Sequence, residues 1–183
     1  QRDDYVSVLA HHYQRAGMME RAVEYLGRAG QQAVQRSAYR AAIAQFTTAL
    51  ELVATLPSTP ERSRRTWTLQ NALGAALMAT KGLAAPEVER VFTAARALSG
   101  EVGDTPELFQ VLQGLSTFYA LRGQLRTAEE LVEQRRRLAQ RLQHPAFLPQ
   151  AHIARGHILL ALGELTDARA EFERGSALYD PRQ

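Results

Sequence analysis

The sequence predicts an all-α protein built from repeated helical hairpins, on three observations. Alanine and leucine supply 54 of the 183 residues, whereas valine and isoleucine together supply 13; unbranched side chains lose less rotamer freedom in a helix than β-branched ones. Apolar residues recur at the helical period, no stretch alternates at period two, and no Asn-Gly or Asp-Gly hairpin turn occurs. A glycine-to-alanine spacing also recurs, at Gly17 and Ala22, Gly123 and Ala128, and Gly163 and Ala168, which is the mark of a repeated unit.

About nine helices follow in order. Helix 3–16 ends at Gly17, whose left-handed exit opens helix 19–36. Ala22 and Ala42 lie only 20 residues apart, so 19–36 closes one hairpin and opens the next with 38–55, where Ala42, Phe46 and Ala49 fall on core positions. Pro60 after Thr59 starts helix 60–81, which Gly82 ends; proline suits a first turn because that N–H has no intrahelical partner. A longer turn from Thr80 to Pro86 leads into 85–101, which makes the unit at 68–98 degenerate. Asp104-Thr105-Pro106-Glu107 offers caps and a first-turn carboxylate to helix 105–122, and Gly123 turns the chain into 125–143. Pro145 opens 146–162, Gly163 exits it, and Ser176-Ala177-Leu178-Tyr179-Asp180-Pro181 closes helix 165–179.

Gly123 and Gly163 are 40 residues apart, and the register extends beyond them. Val88, Ala128 and Ala168 align at that period, as do Phe92, Val132 and Phe172, and Leu98, Leu138 and Leu178. Ala76, Ser116 and Gly156 form a column of small residues, which lets a second helix approach closely. Each hairpin resembles the tetratricopeptide repeat (TPR). The first unit reads Leu9, Ala10, Tyr13, Gly17, Ala22, Leu26 and Ala29. The middle one reads Leu115, Ser116, Tyr119, Gly123, Ala128 and Val132, with Arg135 departing from the small-residue position. The last reads Gly156, Leu159, Gly163, Ala168, Phe172 and Gly175, with Pro181 near the end. This resemblance implies a right-handed TPR-like helical-hairpin solenoid of about four hairpins, one domain over residues 1–183, held by nearest-neighbour stacking.

A narrower likeness covers the whole chain. Leu9-Ala10-His11-His12-Tyr13, Arg28-Ala29-Gly30, Ala49-Leu50-Glu51-Leu52, the run Leu73-Gly74-Ala75-Ala76-Leu77-Met78-Ala79-Thr80-Lys81-Gly82 and Ala177-Leu178-Tyr179-Asp180-Pro181 resemble the helical C-terminal region of bacterial adenylate/guanylate cyclase-linked signalling ATPases. The maltose-regulon activators carry a similar helical sensor region. The resemblance implies an excerpt of a larger cytoplasmic protein and a non-catalytic interaction and regulatory module. Its partner would be a protein or peptide segment, the parent's own ATPase domain included. ATP and magnesium would belong to the parent, with no cofactor in these residues. Two alternatives stay open: a peptide or small-ligand sensor of a transcriptional regulator, and a nucleic-acid contact through the arginine cluster.

The residues themselves argue against chemistry here. No G-x4-G-K-[S/T] loop exists, and the only lysine is Lys81. There is no cysteine and no Gly-x-Ser-x-Gly elbow. His11 and His12 are neighbours, about 100° apart on a helix, and His152 and His157 are five apart, so neither pair chelates a metal in the i, i+4 manner. The longest aliphatic run, Ile158 to Leu162, has five residues, too few to span a membrane, and no signal segment opens the chain. Net charge is only +3. Arg135-Arg136-Arg137 and Arg141 form the sharpest basic cluster, but Glu129, Glu130 and Glu133 precede it on the same helix. That spacing reads as a solvated face laced with i, i+4 ion pairs, with the Arg135 stem packing inward and its head reaching out, and it disfavours nucleic acid. Tyr13, Phe46, Phe92, Tyr119 and Phe172 sit at core positions, while Trp67 fits either core or surface.

Function therefore falls to the surface made by stacking. The first helix of each TPR hairpin lines a concave groove, and the resemblance carries this over to Ser7, His11 and Gln14 in the first unit. It adds Gln110, Gln113, Thr117 and Leu121 in the middle unit, and Gln150, Ile153, His157 and Leu160 in the last. Such a polar, weakly charged lining suits an extended peptide backbone or an uncharged ligand.

Overall fold

The computed structural model describes residues 4–178. Ten helices, and no strand, form among the described residues: α1 (Asp4–Arg15), α2 (Met19–Gln35), α3 (Tyr39–Ala54), α4 (Pro60–Lys81), α5 (Pro86–Ala97), α6 (Ser99–Val102), α7 (Pro106–Leu121), α8 (Leu125–Leu142), α9 (Phe147–Leu162) and α10 (Leu165–Ala177). The all-α expectation therefore holds. The count exceeds nine because the helix expected over 85–101 breaks at Leu98, leaving the one-turn α6. Residue 3, Tyr179 and Asp180-Pro181, on which the outermost helix ends were placed, lie outside the described residues.

Two compact units meet in sequence at Val102–Gly103. In the first, α1 packs on α2, α2 on α3, α3 on α4, and α4 on both α5 and α6; in the second, α7, α8, α9 and α10 pack in succession. Within each unit the longer helices thus bury apolar residues against their chain neighbours.

The joints are built alike. At Gly17 (φ 73°), Gly123 (φ 74°) and Gly163 (φ 83°) the chain leaves a helix in the left-handed region. In each joint the following N–H reaches back five residues: Met18 to the Tyr13 carbonyl, Gln124 to Tyr119 and Glu164 to Leu159, each at 2.9 Å. This is a Schellman closure, which satisfies carbonyls the helix leaves open. Ser37 (φ 57°) makes the same turn without glycine, with Ala38 N–H to the Ala33 carbonyl at 2.8 Å. Ser37 and Ala42 therefore belong to the glycine-to-alanine series that sequence spacing alone shows only three times. Gly82 ends α4 as the sequence predicts, but with φ 86° and ψ 165° rather than the left-handed helical values of the other exits. It leads into the open linker 82–85 rather than a tight turn, and only glycine enters that region without strain.

Four alanines after these turns, Ala22, Ala42, Ala128 and Ala168, are buried where adjacent helices cross. At three crossings a glycine faces a phenylalanine ring and leaves no room for a Cβ: Gly30 against Phe46, Gly74 against Phe92, and Gly156 against Phe172. The first and last pairs are 16 residues apart and the middle one 18. The 40-residue register that put Ala76 in this column is thus off by two in that hairpin, because its linker is longer than the tight turns. The Leu98, Leu138 and Leu178 column also splits: Leu138 sits inside α8 and is buried, whereas Leu98 and Leu178 cap helix ends, and Leu178 is 48% exposed. Trp67 is core. Thr59 and Thr105 act as N-caps, each accepting from the N–H three residues on at 3.2 Å.

Candidate functional site

In the second unit, α7 and α9 run as the first helices of consecutive hairpins and hold a concavity of about 750 Å³ between them. One stripe of α7 lines it through Gln113, Ser116, Thr117, Ala120 and Leu121. The facing stripe of α9 runs from Pro149 and Gln150 through Ile153, Ala154, His157 and Ile158 to Ala161. Both stripes follow the 3.6-residue period, so one face of each helix serves the groove while the other serves the core. α8 supplies Leu125, Val132 and Arg135, and α10 closes one side with Gly175 and Ser176. Gly175 is needed there: a Cβ would sit 2.9 Å from Ile153 Cδ1 and 3.2 Å from the Pro149 carbonyl.

Six of the residues expected to line a groove come together here: Gln113, Thr117, Leu121, Gln150, Ile153 and His157. Gln110 and Leu160 are exposed but outside the lining. On α9 the stripe turns toward Ala154, Ile158 and Ala161, which leaves Leu160 rotated off it. Ser7 and His11 are exposed and Gln14 half-buried on α1, in the other unit.

Arg135 is the residue that sequence reading placed wrongly. Its head does not reach a solvated face; the residue is only 3% exposed. Its Nη2 donates to Gln113 Oε1 at 2.9 Å and to Gln150 Oε1 at 3.4 Å, and its guanidinium carbon lies 4.1 Å from the centre of the Phe109 ring. Phe109 in turn stacks on Phe147, with centroids 4.2 Å apart. Nε is buried without a hydrogen-bond partner. Burial pushes the guanidinium down to about 10, and among the described residues no carboxylate pairs with it. The stem fills a slot that a small residue occupies in the other hairpins, and the consequence is a charge inside the fold.

The rest of the basic cluster is paired locally. Arg136 and Arg137 both donate to Glu133, at 2.8–3.0 Å, and Arg141 forms a two-point pair with Asp104. Arg136, helped by Arg137, holds the Glu133 carboxyl at about 2.

A second polar cluster, absent from the sequence reading, sits where α9 crosses α10. Glu171 is 2% exposed and accepts from Arg155 Nη1 and Arg174 Nη1 at 2.7 Å each, with His152 Nδ1 at 2.6 Å. Burial opposes ionisation of Glu171, but the His152 hydrogen bond and the Arg155 charge outweigh it and hold the carboxyl below its ordinary range. The signal available in sequence was a carboxylate one residue before the half-buried Phe172, with arginines three residues after it and on the preceding helix. Among the described residues no cluster of three or more His, Asp or Glu could hold a metal ion, and no helix is long and apolar enough to cross a membrane.

No family model and no curated protein matches the chain in sequence. Solved structures do match in shape. The apo form of RapI superposes with a TM-score of 0.74 at 10% identity, covering 97% of this chain and 70% of that one. The nearly identical TPR-like repeats of a Podosopora anserina kinesin light chain candidate superpose at 0.55 with 20% identity, covering 97% and 94%. At these identities the likeness is one of fold, and it makes this chain a TPR-like helical-repeat structure.

Proposed function

We propose that this chain is a non-catalytic interaction module whose second unit receives an extended peptide segment in the α7–α9 groove. The observation that carries this reading is the pairing of apolar walls with amide and hydroxyl side chains, Gln113, Thr117 and Gln150, presented from two facing helices. An extended segment offers alternating backbone donors and acceptors to such groups and side chains to the walls. The volume also lies within the ordinary range of small-molecule sites, so a small ligand is the competing outcome. The ion pairs of Arg136, Arg137 and Arg141 argue against nucleic acid, which needs a row of uncompensated cations.

The wider role we propose is regulation within a bacterial signalling ATPase or nucleotide cyclase, in the cytoplasm. It is supported by the phrasing of the Leu73–Gly82 run and the other segments that resemble that group. The parent's ATPase region is then one natural source of the segment. Retention of randomised peptide pools by the full chain, compared with Ile153→Asp and Thr117→Trp variants that spoil or fill the groove, tests the binding claim. Loss of retention in both folded variants is expected. Equal retention by wild type and variants would place binding elsewhere.

A further inference from the structure

The groove carries a charge that its own lining does not answer. Arg135 stands among the lining residues, bracketed by Gln113 from α7 and Gln150 from α9. Both glutamines offer it a neutral carbonyl oxygen, where arginines buried to this degree ordinarily find a carboxylate. The two amides are exposed, so they can be displaced without unpacking a helix. Nε adds an unmet donor to the same planar fork. A guanidinium presents paired N–H groups that match the two oxygens of a carboxylate. An amide that turns over replaces its carbonyl with an NH2 donor, which then points at an incoming anion.

We propose that the segment held in this groove bears a carboxylate, that Arg135 binds it, and that Gln113 and Gln150 turn over to donate to it. The proposal rests on the peptide-groove reading and adds the chemistry of its occupant. The carboxylate comes from an aspartate or glutamate side chain or from a chain terminus; both are the same ligand to Arg135. A polyanionic strand fits less well, because the neighbouring arginines are already paired with Glu133 and Asp104 and the walls on either side are apolar.

The test presents the full chain, immobilised, with three N-acetylated peptide pools randomised over leucine, alanine, valine, serine and glutamine. One pool is C-terminally amidated and acid-free, one is amidated with a single central Asp or Glu, and one keeps a free terminal carboxylate. Wild type is expected to retain at least one acidic pool about tenfold or more over the neutral pool, the scale of a hydrogen bond to a charged group. Which acidic pool wins identifies the source of the carboxylate. Arg135→Met, checked for folding by thermal unfolding, is expected to retain the three pools alike. Arg135→Lys keeps the charge and loses the fork, so its preference should shrink; it decides the matter if the Met variant does not fold. Equal retention of all pools by wild type would overturn the carboxylate while leaving the peptide groove standing. A preference that survives in Arg135→Met, or displacement of the pools by oligothymidylate, would overturn the proposal as well. Retention of no pool would overturn both it and the groove reading.

Discussion

Replacing Gly156 with alanine sets two effects of opposite sign against each other. Alanine is favoured over glycine inside a helix by about 1 kcal/mol, so on propensity alone the variant gains stability. The added Cβ, however, would sit 2.6 Å from Phe172 Cε1, 2.8 Å from Cδ1 and 3.0 Å from Cζ. Those separations are well inside carbon–carbon contact, so the Phe172 ring must leave its place or α9 and α10 must part. Overpacking of this kind costs typically about 1–3 kcal/mol. With the propensity gain subtracted, a net loss of about 1 kcal/mol is expected; at a urea slope of about 2 kcal/mol/M that lowers the midpoint by roughly 0.5 M. Gly27→Ala is the matched control, because Gly27 lies inside α2 and its added Cβ would meet only Leu69 Cδ2, at an ordinary contact distance of 3.5 Å. Urea unfolding followed by far-ultraviolet circular dichroism reads both variants. A Gly156→Ala midpoint that rises with the control would refute the claim that glycine is there to admit the phenylalanine ring. Recovery in a Gly156→Ala, Phe172→Leu double variant would support it.

Ala168→Leu should lose about 1–3 kcal/mol by overpacking, since Ala168 is 1% exposed at the α9–α10 crossing; an unchanged urea midpoint would refute that placement. Gln113→Ala should cost about 1–2 kcal/mol because it takes an acceptor from the buried Arg135, whereas the exposed His157→Ala should stay within about 0.5 kcal/mol, and equal midpoints would contradict the difference. Glu133, held at about 2 by Arg136 and Arg137, contributes stability that is complete above its ordinary value of 4.5 and is lost as pH falls toward 2. Glu133→Gln should therefore flatten the acid limb of a stability-against-pH curve over that interval, and an unaltered limb would mean that the two arginines do not hold it.

The parts of the fold legible in sequence are those fixed by local backbone chemistry. Thr59-Pro60 and Thr105-Pro106 mark helix starts because a capping hydroxyl and a missing N–H act within one turn. Gly17, Gly123 and Gly163 mark exits because positive φ is cheap for glycine. Ser37 makes the same exit and was invisible, since its backbone is held by the helices on either side rather than by its own preference. The Phe92 contact with Gly74 was misplaced for a related reason: sequence periodicity carries no information on how much chain the 82–85 linker takes up.

The groove positions were legible as far as one helix face predicts them, which is why Gln113, Thr117, Gln150, Ile153 and His157 meet. Arg135 was not, because its neighbours in sequence suggested a solvated ion-pair face, while its neighbours in space are Gln113, Gln150 and Phe109. Glu171 was hidden likewise; its three partners lie three to 19 residues away on two helices.

The central claim is that the α7–α9 face is the working surface. Photocrosslinking tests it most directly, with a photoreactive residue placed in the purified full chain at Thr117, inside the groove, or at Arg137 or Arg169, both exposed and outside its lining. Each variant is irradiated with the acidic peptide pools, and covalent adducts are counted by mass spectrometry. Adducts concentrated at Thr117 and scarce at Arg137 and Arg169 are the predicted result. Adducts at Arg137 or Arg169 with none at Thr117 would contradict the account and move the binding surface to the outer face of the helices.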